Sequence, residues 1–101
     1  MDKFIVFVFL LLVIACGGHT SSSEANETNG LAIYKKYCIT CHGSDGKLAL
    51  NGAKDITVSP LSEEERVELV IRGKNTMMPF GSILSPEEIR AVVAYTLTLK
   101  N

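Results

Sequence analysis

The chain has 101 residues, room for one small domain, and its 10 basic and 11 acidic side chains leave a formal charge of -1. That balance excludes the clustered basic face a nucleic-acid binder needs. Apolar residues make up 47% of the chain, but much of that weight lies in the first fifteen positions, so the remaining core is modest and calls for a staple.

Residues 4–15 read FIVFVFLLLVIA, uninterrupted apolar behind Lys3 and the terminal amine. A spanning helix takes roughly 20 such residues. This run is shorter and has the layout of a secretory signal. Val13-Ile14-Ala15-Cys16 resembles the lipobox of bacterial lipoproteins, in which a peptidase cuts ahead of a lipidated cysteine. The resemblance implies a diacylglyceryl thioether on Cys16, an acylated amino terminus and a membrane anchor, each buried methylene contributing about 0.8 kcal/mol. It also implies a bacterial cell-envelope protein with its folded part on the periplasmic or extracytoplasmic side. A plain secretory signal with an incidental cysteine, or an uncleaved anchor, is the blander account.

After the expected signal (1–15), residues 16–28 make a lipidated cysteine and a tether. The stretch GGHTSSSEANET is small and polar with no hydrophobic period, which predicts a flexible segment. His19, inside it, reads as a solvated linker histidine.

Residues 29–101 form the domain. Leu31, Ile33, Tyr34 and Tyr37 follow a helical period from Asn29 or Gly30 onward and lead into Cys38-Ile39-Thr40-Cys41-His42. Two cysteines at this spacing followed at once by histidine are the pattern for covalent haem c attachment. Two thiols that add across the two vinyl groups of one haem must share a short turn, and the next histidine then falls under the porphyrin as proximal ligand. With two thiols on haem and one on lipid, none remains for a disulfide.

Residues 43–59 (GSDGKLALNGAKDITVS) lack a helical period and predict a long loop with a turn at Asp45-Gly46. A loop of this length is usually functional, and wrapping one edge of a haem accounts for it. Ser62 with Glu65 is a capping-box pattern that opens a helix through Val67, Leu69, Val70 and Ile71, closing at Gly73 in the left-handed conformation. Ser85-Pro86-Glu87-Glu88 opens the last helix, with an apolar stripe of Ile89, Val92, Val93, Thr96 and Leu97. About three helices and no convincing strand predict a small all-α domain. Between the last two helices, Met77-Met78-Pro79 offers a thioether for the sixth position of a haem iron; methionine also fills gaps in cores.

Taken together, residues 30–99 resemble a class I cytochrome c. Gly30 and Tyr34 match the family's first-helix glycine and aromatic. Cys38, Cys41 and His42 match the haem motif, Met78-Pro79 the segment carrying the distal ligand, and Tyr95 the last-helix aromatic that packs over the first helix. The resemblance implies three helices wrapped around one covalent haem c, with His42 and Met78 as iron ligands, and a membrane-tethered single-electron carrier rather than an enzyme. The doubled methionine makes the distal ligand a choice, and Met78 is favoured because it directly precedes Pro79. The family's proline in the loop after the haem motif is missing, which leaves open which carbonyl orients the His42 ring.

Other readings share some of these residues. A thioredoxin-like pair would need βαβ units, and a zinc site about four ligands. A haem sensor with a labile sixth site, or a fixed cytochrome subunit of a larger oxidoreductase, keeps the haem and changes the role. Lys35, Lys36, Lys47, Lys54 and Lys74 flank the haem segments. They either steer acidic redox partner proteins or are ordinary solvated lysines.

Overall fold

The computed structural model of the chain describes Gly17 and residues 22–99, with side chains from residue 29 onward. The signal, Cys16 and His19 lie outside the described residues. The described residues form four α-helices: α1 (Ser22–Tyr37), α2 (Ile39–His42), α3 (Glu63–Arg72) and α4 (Pro86–Leu97). Among the described residues there is no strand, only an isolated antiparallel bridge between Lys74 and Met77. The domain is all-α, as the sequence predicts, with three full helices and one single-turn helix that carries the cysteine motif.

α1 departs from expectation at its start. It opens at Ser22, so the second half of the expected tether is helical backbone. Glu24, Ala25 and Glu27 are good helix formers, and an acidic first turn behind a run of serines suits a helix amino terminus. This stretch carries no apolar period, so only residue propensity and these amino-terminal signals mark it as helix.

α1 and α4 cross at Gly30. A Cβ there would fall on the Ala91 carbonyl oxygen, and Tyr95 Cβ lies just beyond, so only a bare Cα lets the backbones approach this closely. One turn on, Tyr34 is 1% exposed and meets the Tyr95 ring at 5.0 Å between centroids. The core gathers Ile33 and Tyr34 from α1, Ile89, Val92 and Val93 from α4, and Phe80 and Leu84 from the segment between α3 and α4. Tyr37 meets Phe80 edge-on at 5.7 Å.

Both capping boxes form. The Ser62 amide donates to Glu65 Oε2 at 2.7 Å and the Glu65 amide to Ser62 Oγ at 3.2 Å; Ser85 and Glu88 repeat the pattern at 3.0 and 3.1 Å. α3 ends at Gly73, with φ 68° but ψ 172°. The left-handed φ was expected; the extended ψ sends the chain back along α3, where the Phe80 and Gly81 amides donate to the carbonyls of Val70 and Ile71. Two 3-10 turns (Leu50–Gly52 and Ile56–Val58) give the predicted long loop its only regular structure. No described helix is long and apolar enough to cross a membrane.

Candidate haem-binding site

α2 is a direct continuation of α1. The Cys38 amide donates to the Tyr34 carbonyl at 2.9 Å, and the His42 amide to the Cys38 carbonyl at 3.0 Å, so the two thiols and the imidazole occupy one tight turn. The turn is braced from beneath by the Tyr34 hydroxyl, which donates to the Gly43 carbonyl at 2.6 Å. Burial, helped by nearby negative groups on Cys38, Tyr95 and Asp45, pushes the Tyr34 phenol up to about 12. Cys38 and Cys41 are both free thiols and both half-buried. Burial, and secondarily the neighbouring Cys41, pushes the Cys38 thiol up to about 11.

His42 Nδ1 lies 3.1 Å from the Lys54 carbonyl oxygen. A carbonyl only accepts, so Nδ1 carries the proton and Nε2 keeps its lone pair for a metal. This answers the question left by the missing proline: the long loop supplies the carbonyl from Lys54.

Cys38 and His42 lie on the wall of a cavity of about 400 Å³. Its size is within the roughly 300–1,000 Å³ of cofactor pockets. Ile56 and Val58 line it from the loop, Leu69 and Val70 from α3, and Val92 and Val93 from α4. This is an apolar slot with a few polar groups, as a porphyrin requires. Cys41, on the same turn, does not reach the wall.

The two methionines separate. Met77 is on the cavity wall and packs against the core, whereas Met78 is 53% exposed and off the wall. The cause is local. Lys74 and Met77 exchange both backbone hydrogen bonds, at 3.0 and 2.9 Å, across a turn in which Asn75 has φ 54°. A residue before proline is driven toward extended backbone, as Met78 is before Pro79, and successive side chains in extended backbone point opposite ways. With Met77 inward, Met78 is outward. Thr76 Oγ1 donates to the Asn51 carbonyl at 2.8 Å and ties this segment to the loop after the haem motif.

Sequence reasoning passed over Arg66, which is buried and also on the wall. Its position would have flagged it, because it stands three and four residues before Leu69 and Val70 on the inward stripe of α3.

Residues 25–95 match the family model described as cytochrome C oxidase, cbb3-type, subunit III. The chain is a class I c-type cytochrome. Cytochrome c6 of Gloeothece citriformis is 31% identical, over 96% of this chain and 94% of its own length. Cytochrome c6 of a Nostoc species is 34% identical over 91% and 90%, and cytochrome c-551 of Bacillus subtilis 29% over 93% and 89%. The solved structure of the KustC0563 c-type cytochrome superposes with a TM-score of 0.66, at 32% identity, over 71% of this chain and 98% of that one. Like its family, this cytochrome carries one covalent haem c, and it is an electron carrier that works with redox partner proteins.

Proposed function

We propose that this cytochrome is a membrane-tethered single-electron carrier with its haem thioether-bonded to Cys38 and Cys41. His42 and Met77 would hold its iron, and the anchor would be lipid on Cys16. The observation that carries the reading is the joint presence of His42, with Nδ1 tied to the Lys54 carbonyl, and the Met77 thioether on one apolar wall. When bound, the haem supplies one-electron chemistry, and the thioether favours its reduced state. The chain's part is to hold the imidazole in one tautomer, keep water from the apolar slot and leave no open position for a substrate. Cys38 and Cys41 would hold the haem through thioether bonds, and burial keeps the Cys38 thiol in its neutral form until then.

Met78 remains the rival ligand on the Met-Pro adjacency, and its exposure speaks against it. The anchor rests on Val13-Ile14-Ala15-Cys16 alone, and the extracytoplasmic location follows from the same segment. A fixed oxidase subunit is the second reading, favoured by the description of the family model. The small cytochromes whose length this chain nearly covers favour the carrier.

The test is holoprotein made in bacteria with c-type maturation machinery. It is expected in the membrane fraction, with Cys16→Ser releasing it to the soluble fraction, and its ferrous form is expected to resist carbon monoxide. Ready carbon monoxide binding would replace the carrier with a sensor, and an unlipidated Cys16 would remove the tether.

A further inference from the structure

Thr76 Oγ1 donates to the Asn51 carbonyl at 2.8 Å across 25 residues of sequence. Among the described residues, no other hydrogen bond joins the loop of residues 43–59 to the segment of residues 74–81. Both partners are exposed, and the loop has little packing here. Leu48 and Leu50 are 49% and 46% exposed, and nothing lies within 4 Å of a Cβ built on Gly52. The hydroxyl therefore carries the tie without apolar contact behind it.

The backbone is unusual at both ends of the bond. Asn51, the acceptor, has φ 55°, and Asn75, just ahead of the donor, has φ 54°. No other non-glycine residue among the described ones has a positive φ. Asparagine enters this region at lower cost than most side chains, and such conformations persist where surrounding contacts hold them. At Asn75 the pair of hydrogen bonds between Lys74 and Met77 does so. At Asn51 the local hold is the Ala53 amide on the Leu50 carbonyl at 3.1 Å, and Thr76 adds a second from outside the loop.

Each segment leads to the cavity. Met77, next to the donor, stands on its wall, and a few residues past the acceptor the Lys54 carbonyl holds His42 Nδ1. The bond thus joins the supports of both side chains read above as iron ligands.

We propose that the Thr76 hydroxyl is a latch coupling the His42 loop to the Met77 segment. As a positioning residue, Thr76 protects the Met77 thioether from displacement in the oxidised protein. The latch rests on the ligand reading above. Thioether ligation favours the reduced state, so by linkage the sulfur is held less firmly when iron is oxidised. In that state the protein supplies the difference by limiting how far the 74–77 turn can move. With the latch closed, moving Met77 off the wall breaks the Thr76 bond or drags the loop that supports His42. With it open, the turn moves alone.

The experiment titrates ferric covalent holoprotein with imidazole, a small neutral nitrogen ligand, and follows loss of the thioether absorption band. It compares wild type, Thr76→Val, Thr76→Ser and Thr98→Val. Valine keeps the branched shape and removes the hydroxyl, and serine restores it. Thr98→Val deletes a matched exposed bond, from the Thr98 hydroxyl to the Tyr95 carbonyl at 2.7 Å, just past α4 and off the cavity wall. Thr76→Val is expected to bind imidazole about twofold to tenfold more tightly than wild type, the span of one neutral hydrogen bond. Thr76→Ser and Thr98→Val are expected to stay near wild type. Wild-type affinity in Thr76→Val overturns the proposal, as does an equal rise in Thr98→Val or a serine that fails to rescue. Hydrogen exchange adds a readout that does not depend on iron. In Thr76→Val the Leu48 amide, bonded to the His42 carbonyl, should exchange faster together with the Met77 amide, bonded to the Lys74 carbonyl. Faster exchange at Met77 alone means the segments are not coupled and overturns the latch. Wild type with covalent haem but no thioether band overturns the ligand reading itself, and the latch falls with it.

Discussion

His42 Nδ1 and the Lys54 carbonyl oxygen, twelve residues apart in sequence, lie 3.1 Å apart in the fold. The bond joins the haem motif to the far end of the loop that follows it, so the loop acts as a support for the imidazole. A main-chain acceptor makes the Lys54 side chain dispensable for this role. It also couples the tautomer of the ring to the path of residues 43–54, which the Leu48 amide, donating to the His42 carbonyl at 3.0 Å, holds from the middle.

Covalent attachment is the first expected outcome. Haem should survive acidified-solvent extraction and denaturing electrophoresis of the wild type, and replacing both Cys38 and Cys41 with alanine should abolish this. Haem that washes out of wild type matured in competent cells would mean the motif does not bond it.

The methionines give a paired outcome. Thioether ligation of ferric haem produces a weak band near the red end of the visible spectrum. Met77→Ala is expected to remove it, lower the reduction potential and open the ferrous iron to carbon monoxide. Met78→Ala is expected to leave all three nearly unchanged, because that side chain is exposed. The reverse pattern would make Met78 the ligand and require the segment after Asn75 to rotate when haem binds.

These residues also mark what was legible in the sequence. The caps at Ser62 and Ser85, the glycine crossing at Gly30 and the motif turn each depend on residue types at fixed spacing, and spacing is visible in a string. The Lys54 carbonyl was not legible, since every residue has one. The inward turn of Met77 was hidden for a similar reason: it depends on the Lys74–Met77 bridge and the left-handed Asn75, whereas the adjacent proline pointed to Met78. The early start of α1 was missed because residues 22–28 carry no apolar period, the signal by which a helix is read from sequence. Arg66 was hidden by its charge, which suggests a surface position until the α3 register is counted.

Tyr34 predicts an alkaline limit. Its phenol is held near 12 in the folded chain against an ordinary value of 10, so the folded state retains its proton where the unfolded state has lost it. The stabilisation is complete below the ordinary value and is lost as pH rises through the interval between the two. Tyr34→Phe should remove this part of the alkaline slope in denaturant titrations of holoprotein. It should also cost about 0.5–1.5 kcal/mol at neutral pH through the lost bond to Gly43. An unchanged slope would mean the phenol is solvated in solution.

Gly73 and Gly52 separate two costs that both glycines share in part. Both have positive φ, 68° and 81°, so alanine is conformationally disfavoured at either. Around Gly52 nothing lies within 4 Å of a new Cβ, whereas at Gly73 the Cβ would stand 2.5 Å from the Met77 carbonyl oxygen and 2.7 Å from Pro79 N. Gly52→Ala should therefore cost about 1 kcal/mol, the strain of one left-handed residue, and leave the thioether band intact. Gly73→Ala adds a backbone collision that only a shift of residues 77–79 can relieve. Its stability loss should exceed that of Gly52→Ala by at least about 1 kcal/mol. Moving Met77 should also weaken the thioether band and raise carbon monoxide binding in the same sample. Equal costs at the two positions, with the band unchanged in both, would show that Gly73 does not set the position of Met77.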